Sequence, residues 1–117
     1  MLGPTLSDRS KPELKNLTFD TYKNLSDRGI DVAIITDHPE ITIENLSLCA
    51  VMAVKHGMDE EKALKAITST AAKNCWIDDR VGTLEVGKDA DIAVFTDLPT
   101  RFESECVMTF IDGKRIK

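Results

Sequence analysis

The spacing of apolar residues changes twice along the first half of the chain, and each change predicts a different element. Residues 13–27 carry apolar side chains at mixed two- and three-residue steps, which predicts an amphipathic helix that ends at Gly29. The continuous apolar run Val32–Ile35 is typical of a parallel strand that is covered on both faces. Residues 42–55 have the three-to-four spacing of a second amphipathic helix, which ends at Gly57. This order of helix, buried strand and helix indicates an α/β protein with parallel strands.

Two further helices are predicted after Gly57. Asp59 is expected to be an N-cap, and the acidic residues that follow it suit the positive end of a helix dipole. The buried stripe of that helix is expected to consist of Ala63, Leu64 and Ile67. Residues 68–77 predict a second short helix, capped by Ser69 or Thr70.

The last third of the chain has a β-like pattern. Gly82 and Gly87 indicate turns, and the run Ile92–Phe95 predicts a strand. Residues 107–117 predict a hairpin, because the central Asp112-Gly113 pair accepts the positive φ values of a type I′ turn. The chain therefore ends in a small β element that is distinct from its α/β beginning.

These elements do not make a complete domain. A single buried parallel strand needs partners on both edges, and the final strands are too few to close a sandwich. Either the chain associates with other copies of itself, or it is one part of a larger protein. Both alternatives predict exposed apolar surface on an isolated monomer.

Composition and charge exclude some classes of function. The chain has 117 residues, 42% hydrophobic and 30% charged, which suits at most one globular domain. Its net charge of −5 and its lack of a basic block argue against a nucleic-acid partner. No apolar run has the length of a membrane span and no signal-peptide pattern is present, so a soluble cytoplasmic protein is expected. The three cysteines, Cys49, Cys75 and Cys106, have no pairing pattern and are expected to be reduced, buried thiols.

Four stretches of the sequence carry a resemblance to a known family. They are VAIITDHPE at residues 32–40, AVKHGMDEEKALKAITSTAAK at 53–73, DDRVGTLEVGKDADIAVF at 78–95 and FIDGKRI at 110–116. Together they resemble the C-terminal region of the amidohydrolase superfamily, in particular its imidazolonepropionase-like members. The most specific part is GxLxxGKDAD, from Gly82 to Asp91.

The resemblance implies a (β/α)8 TIM-type barrel whose chain ends in a small β-sandwich built jointly from both termini. Residues 1–77 would be the last two βα units of the barrel, with Leu2–Leu6 as its seventh strand and residues 7–12 as a polar loop. Residues 78–117 would be the C-terminal strands of the sandwich. A complete barrel takes about 250 residues, so this α/β fold is expected to be incomplete on its own.

Asp37 is the candidate active-site residue. It directly follows the buried run, at the strand end where barrel active sites gather, although an aspartate there can also simply cap a turn. The resemblance implies a catalytic residue that ligates a divalent metal and also passes a proton from the attacking water to the leaving nitrogen. His38 is the candidate substrate-binding residue, with a structural role in the loop before Pro39 as an equal alternative.

The other polar residues are expected to be structural. His56 suits the last turn of a helix, where a cation is favoured. Asp59 and its acidic neighbours point in different directions from the first turn of a helix, so they do not converge on one ion. Residues 88–91 are expected to form a turn between sandwich strands. The family often has Asn-Pro where Thr70-Ala71 stands and glycine where Trp76 stands, and these departures concern local packing rather than chemistry.

The expected function is that of the C-terminal portion of a metal-dependent amidohydrolase, which hydrolyses a C–N bond of a cyclic amide or a related small molecule. The implied cofactor is a divalent metal, with zinc as the expected ion. Its other ligands in the family lie on strands that this sequence lacks. The expected partner is the remainder of the barrel or a second copy of the chain. Two alternatives stay open: an inactive stand-alone module that acts through oligomerisation, and a small complete enzyme with Asp37 and His38 in a site shared between subunits.

Overall fold

The structure, a computed structural model, describes residues 1–7, 9 and 11–117, and within them the helices precede a small sheet. The helices are α1 (Asp20–Asp27), α2 (Leu46–Lys55), α3 (Glu60–Ala66) and α4 (Ser69–Asn74), with short 3₁₀ turns at Pro12–Leu14 and Ile43–Asn45. The strands are β1 (Ile92–Phe95), β2 (Cys106–Ile111) and β3 (Lys114–Arg115). The loop predicted at residues 7–12 includes Asp8 and Ser10, which lie outside the described residues.

The first helix is shorter than the apolar spacing predicts. α1 begins at Asp20 rather than near Glu13. The hydroxyl of Thr18 accepts a hydrogen bond from the backbone N–H of Asp20 at 3.3 Å, and such local side-chain bonding competes with helix continuation. The predicted end of the helix is confirmed, because Gly29 follows its last turn with a left-handed φ of 76°.

The predicted buried strand is present as an extended segment with a short parallel contact. The N–H of Leu2 donates to the carbonyl of Ala33 at 2.8 Å, and the N–H of Ile35 donates to the carbonyl of Leu2 at 3.0 Å. Leu2 is thereby bridged in parallel to Ile34, whose own N–H donates to the carbonyl of Ala66 at 3.0 Å. Among the described residues no ladder extends beyond this bridge, so the segment falls short of a full strand.

The boundaries of the next helices follow most of the predicted caps. α2 ends just before Gly57, whose φ is 91°. Asp59 caps α3 as predicted, since its carboxylate accepts a backbone N–H of the first turn at 3.0 Å. The cap predicted for α4 is wrong, because Thr68 precedes the helix rather than Ser69 or Thr70. The hydroxyl of Thr68 donates back to a carbonyl of α3 at 2.7 Å and does not cap α4.

The C-terminal residues form an antiparallel sheet with the strand order β1-β2-β3. Ile92 of β1 pairs with Phe110 of β2, and the register shifts once further along this pair. The turn between β2 and β3 is made by Asp112 and Gly113, with φ values of 49° and 73°. The predicted strand and the predicted hairpin turn are both confirmed.

Polar contacts rather than strand pairing fix the segment that joins α4 to β1. The Nζ of Lys88 donates to the carbonyl of Asp78 at 2.7 Å and to the hydroxyl of Thr83 at 2.6 Å. The guanidinium of Arg80 pairs with the carboxylate of Asp89 at 2.6 Å. The expected structural role of this turn is confirmed. Its expected place between two strands is wrong, because within the described residues the turn lies between a helix and β1.

Small side chains make up most of the core. The members of the main cluster are Tyr22, Val32, Ile34, Cys49, Ala50, Ala53, Met58, Ala63 and Ala66. Ala66 was absent from the predicted stripe of α3 but is fully buried, whereas Leu64 is only half-buried. The prediction of buried thiols holds for Cys49, is wrong for the exposed Cys75, and holds only in part for the half-buried Cys106.

Several large apolar side chains stay exposed, as expected of an incomplete fold. Trp76 is 89% exposed, Leu84 is 81% exposed and Phe102 is 77% exposed. Trp76 also has a φ of 61°, a left-handed conformation that costs a residue with a Cβ about 1–2 kcal/mol. Glycine, which has no Cβ, would avoid this strain.

We expect substitutions at two glycines to separate steric contact from backbone strain. A Cβ at Gly82 (φ 95°) would lie 2.6 Å from the Cβ of Ala72 in α4, whereas a Cβ at Gly87 (φ 97°) would meet nothing within 4 Å. Both alanine variants carry the left-handed strain, so Gly82→Ala should lower the free energy of unfolding by about 1–3 kcal/mol more than Gly87→Ala. Urea unfolding followed by circular dichroism measures both losses. Equal losses would show that the turn is free to move away from α4.

Candidate functional site

Asp37 lies where the buried segment emerges into solvent. Thr36 before it is buried, whereas Asp37 and the three residues after it are exposed. The φ of Asp37 is 55°, in the left-handed region that aspartate tolerates better than most residues. Its carbonyl accepts the N–H of Glu40 at 2.9 Å and so closes a tight turn. A turn at the carboxyl end of a buried segment therefore presents the carboxylate of Asp37 to solvent.

The N-terminal residues lie beside the segment that leads to this turn. Leu2 is bridged in parallel to Ile34, three residues before Asp37. Thr5 is buried, with 6% of its surface exposed. Two segments that are far apart in sequence thus meet just before the turn that carries Asp37.

His38 is exposed and follows Asp37 in the same turn. The pKa of the Glu44 carboxyl is lowered by its own backbone N–H, by the hydroxyl of Thr42 and, most weakly, by the nearby His38. The imidazole therefore lies within electrostatic reach of the start of α2. The turn keeps His38 next to Asp37, and both side chains are open to a ligand.

His56 is held at the other end of α2. Its Nδ1 lies 3.1 Å from a carboxylate oxygen of Asp20, and its ring stacks on Phe19 with ring centroids 4.9 Å apart. These contacts join α1 to the end of α2 and agree with the predicted structural role. At 1.5 Å of rise per residue, the ten residues of α2 place His56 about 15 Å from the start of that helix, which itself begins after the turn of Asp37.

The acidic residues after Gly57 are also used in packing. Glu60 accepts hydrogen bonds from the hydroxyl of Thr100 at 3.2 Å and from Nε of Arg101 at 3.3 Å, and so links α3 to the β segment. Asp59 caps α3. In the part of the chain that the structure describes, no three side chains of His, Cys, Asp or Glu come together as a metal-binding group.

Asp37 fits a divalent metal as one ligand of a larger set. A carboxylate oxygen is a normal ligand of zinc, but a catalytic zinc takes three protein ligands. The described residues bring no further histidine, cysteine or carboxylate close enough to complete such a set around Asp37.

Within the same residues, no helix combines the length and the apolar character that a membrane span requires.

A large cleft among the described residues lies away from Asp37. It has a volume of about 1010 Å³ and separates the helices from the β segment, with Leu46, Ile67, Ala71, Leu84 and Phe95 among its walls. Neither Asp37 nor His38 lines it. This mainly apolar cleft was not predicted from the sequence, because its walls come from elements far apart in the chain. Its walls are mainly apolar, with a few carboxylates such as Asp89 and Asp91 among them.

The sequence model of the amidohydrolase family matches residues 13–116. The chain belongs to the amidohydrolase family. Its relatives include imidazolonepropionases, so it is an imidazolonepropionase-like member of the superfamily and a relative of hydrolases. The resemblance inferred from the four sequence stretches is confirmed.

Solved and curated relatives agree with this assignment. The crystal structure of an amidohydrolase from Thermotoga maritima MSB8 is 38% identical, with a TM-score of 0.93 over 99% of this chain and 30% of that chain. The imidazolonepropionase of Caldanaerobacter subterraneus subsp. tengcongensis is 40% identical over 89 residues, 72% of this chain and 21% of its own length. Amidohydrolase tasK of Hapsidospora irregularis is 29% identical over 91 residues, 78% of this chain and 9% of its own length.

The extent of these matches bears on the fold and on function. The α/β arrangement with a small antiparallel sheet is confirmed as similar to an amidohydrolase structure. The chain spans about a fifth of the length of the imidazolonepropionases that it matches. The family is therefore established, whereas the activity of a whole enzyme is a matter for proposal.

The isolated chain should hold zinc only weakly, because Asp37 supplies one ligand where a tight site needs three or four. After incubation with zinc and dialysis, we expect atomic emission to find far less than one zinc per chain, in the wild type and in Asp37→Asn alike. One tightly held zinc that is lost in Asp37→Asn but kept in Asp31→Asn would contradict this. Asp31 is a suitable control, because it is an exposed aspartate at the opposite end of the same segment.

Proposed function

We propose that this chain is the C-terminal portion of a metal-dependent amidohydrolase that hydrolyses a C–N bond in a cyclic amide or a related small molecule. One observation carries the proposal: an exposed aspartate ends a buried, parallel-paired segment in a chain that superposes on part of an amidohydrolase with a TM-score of 0.93. The family is established by the match over residues 13–116, and the position of Asp37 supports the proposed reaction.

Residues 1–77 are proposed to be the last two βα units of a TIM-type barrel, and residues 78–117 the C-terminal part of a composite β-sandwich. The parallel bridge of Leu2 to Ile34 supports the first assignment, because parallel pairing of neighbouring strands is what a barrel requires. The antiparallel sheet β1-β2-β3 supports the second. The exposed apolar cleft between the two parts agrees with a role for the remainder of the barrel as the partner.

Asp37 is proposed to be both a metal ligand and the group that moves the proton. When bound, a divalent ion such as zinc supplies a Lewis acid that polarises the substrate carbonyl and lowers the pKa of water. One carboxylate oxygen of Asp37 would hold the ion. The other would accept a proton from the attacking water and then donate it to the departing nitrogen, so that the same residue serves first as base and then as acid.

His38 is proposed to bind the substrate. Its exposure and its place next to Asp37 support this role, because an imidazole one residue away can donate or accept a hydrogen bond beside the reacting bond. The three free cysteines agree with a reducing compartment, and we propose the cytoplasm as the location.

A chimera tests the proposed function. The C-terminal segment of the imidazolonepropionase of Caldanaerobacter subterraneus subsp. tengcongensis would be replaced by this chain, and hydrolysis of that enzyme's own substrate would be followed. In the active chimera, Asp37→Asn should lower kcat by about 10²–10⁴-fold, the usual contribution of a positioned acid or base. Asp31→Asn, which changes an exposed aspartate paired with Lys73, should leave kcat unchanged.

Two results would count against the proposal. An Asp37→Asn chimera that keeps its metal and its kcat would remove Asp37 from the chemistry. A folded, metal-loaded chimera that fails to hydrolyse this substrate and related cyclic amides would remove the proposed reaction class.

A further inference from the structure

The hydroxyl of Tyr22 connects α1 to both segments that meet near Asp37. Tyr22 is fully buried, its Oη lies 2.7 Å from Oγ1 of Thr5, and it donates to the carbonyl of Leu2 at 3.4 Å. The same carbonyl accepts the N–H of Ile35 at 3.0 Å. One carbonyl oxygen therefore joins α1 to the segment that ends, two residues later, at Asp37.

The phenol has one proton and the carbonyl of Leu2 can only accept, so the phenol is the donor in the contact with Leu2. In the 2.7 Å contact with Thr5 either oxygen can donate, and the hydroxyl of Thr5 donates whenever the phenol proton points to Leu2. Burial raises the pKa of the Tyr22 hydroxyl, although the hydrogen bond with Thr5 opposes the shift. The phenol thus stays protonated at neutral pH, and the chain from Thr5 through Tyr22 to Leu2 is satisfied throughout.

The segment that Tyr22 holds is in direct backbone contact with the residues before Asp37. A Cβ on Gly3 would lie 2.1 Å from the carbonyl oxygen of Ile35, so no side chain separates the two backbones. The parallel bridge of Leu2 to Ile34 and the close approach of Gly3 to Ile35 hold residues 2 and 3 against the segment that ends at Asp37. A shift of Leu2 or Gly3 therefore acts directly on the residues that lead to the turn of Asp37.

We propose that Tyr22 is a positioning residue for Asp37, acting through Leu2 and Thr5. Its ring packs in the core cluster with Ile34 and Cys49, a role that phenylalanine would fill equally well. The hydroxyl has a different role, because it holds Leu2 in position and, through Leu2, the segment that leads to Asp37. The inference rests on the proposed function, in which Asp37 touches the reacting atoms.

The first test needs no activity. The wild-type chain, Tyr22→Phe, Thr5→Val and Thr5→Ser would be compared by NMR through the backbone amide and carboxyl signals of Asp37. Loss of the hydroxyl on either side should move the Asp37 signals, and Thr5→Ser, which keeps a hydroxyl, should restore them towards the wild type. Asp59→Ala serves as the control: it removes the N-cap of α3 and destabilises the chain, but it should leave Asp37 in place.

A purely structural role gives a different result. If Tyr22→Phe and Thr5→Val lower the melting temperature while the Asp37 signals stay as unchanged as they do in Asp59→Ala, the positioning role is wrong. The two variants act from opposite ends of one hydrogen bond, so either of them suffices if the other does not fold.

The second test separates this inference from the proposed function. In the active chimera, Tyr22→Phe should lower kcat by about 10- to 100-fold with little change in KM, since a misplacement of about 1 Å can cost about 100-fold in rate. Thr5→Ser should retain most of the activity. An effect of Asp37→Asn without any effect of Tyr22→Phe overturns the positioning role alone. If the Asp37 signals move in the Tyr22 and Thr5 variants but Asp37→Asn leaves the kcat of the chimera unchanged, the proposed function is overturned instead.

Discussion

The parallel contact between Leu2 and the segment around Ile34 is the constraint on which the rest of this structure depends. Two backbone hydrogen bonds, of 2.8 and 3.0 Å, join residues more than thirty positions apart. They hold Leu2 beside the segment that leads to Asp37 and so fix the position of the two segments relative to each other. The helices then pack over this contact, with Tyr22 and Cys49 fully buried beneath them. Without the contact, the segment before Asp37 would keep its hydrogen bond from Ile34 to the carbonyl of Ala66 but would lose its N-terminal neighbour.

Much of this fold could be predicted from local patterns. Helix ends with a clear chemical signal were predicted correctly, as at Gly29, Gly57 and Asp59, because left-handed glycines and N-caps act within one turn of chain. The start of α1 was not, since the hydroxyl of Thr18 competes with the helix in a way that apolar spacing does not reveal. The strand before Asp37 was predicted by its apolar run, but its pairing depends on Leu2, which no local pattern identifies.

In the candidate site, too, local sequence reveals one feature and long-range contacts determine the rest. Asp37 could be singled out because an aspartate directly after a buried run is visible in the sequence. The environment that fixes it could not, because Tyr22 looks like an ordinary core residue and Thr5 like an ordinary residue of the expected seventh strand until their hydroxyls are seen 2.7 Å apart. The cleft between the helices and the sheet was missed for a similar reason, since its walls come together only in three dimensions. The exposed apolar surface was foreseen, because a lone parallel strand cannot satisfy both of its edges.

The most direct measurement is the position of the metal relative to Asp37 in a crystal of the zinc-loaded chimera, located by anomalous scattering. The account predicts a zinc ion with an oxygen of Asp37 at about 2.0–2.2 Å, the normal zinc–carboxylate distance. It also predicts that Leu2 stays paired with the segment around Ile34 when the metal is bound, as it is in this chain. A fully occupied zinc site from which the carboxylate of Asp37 points away, beyond bonding distance, would contradict the central claim.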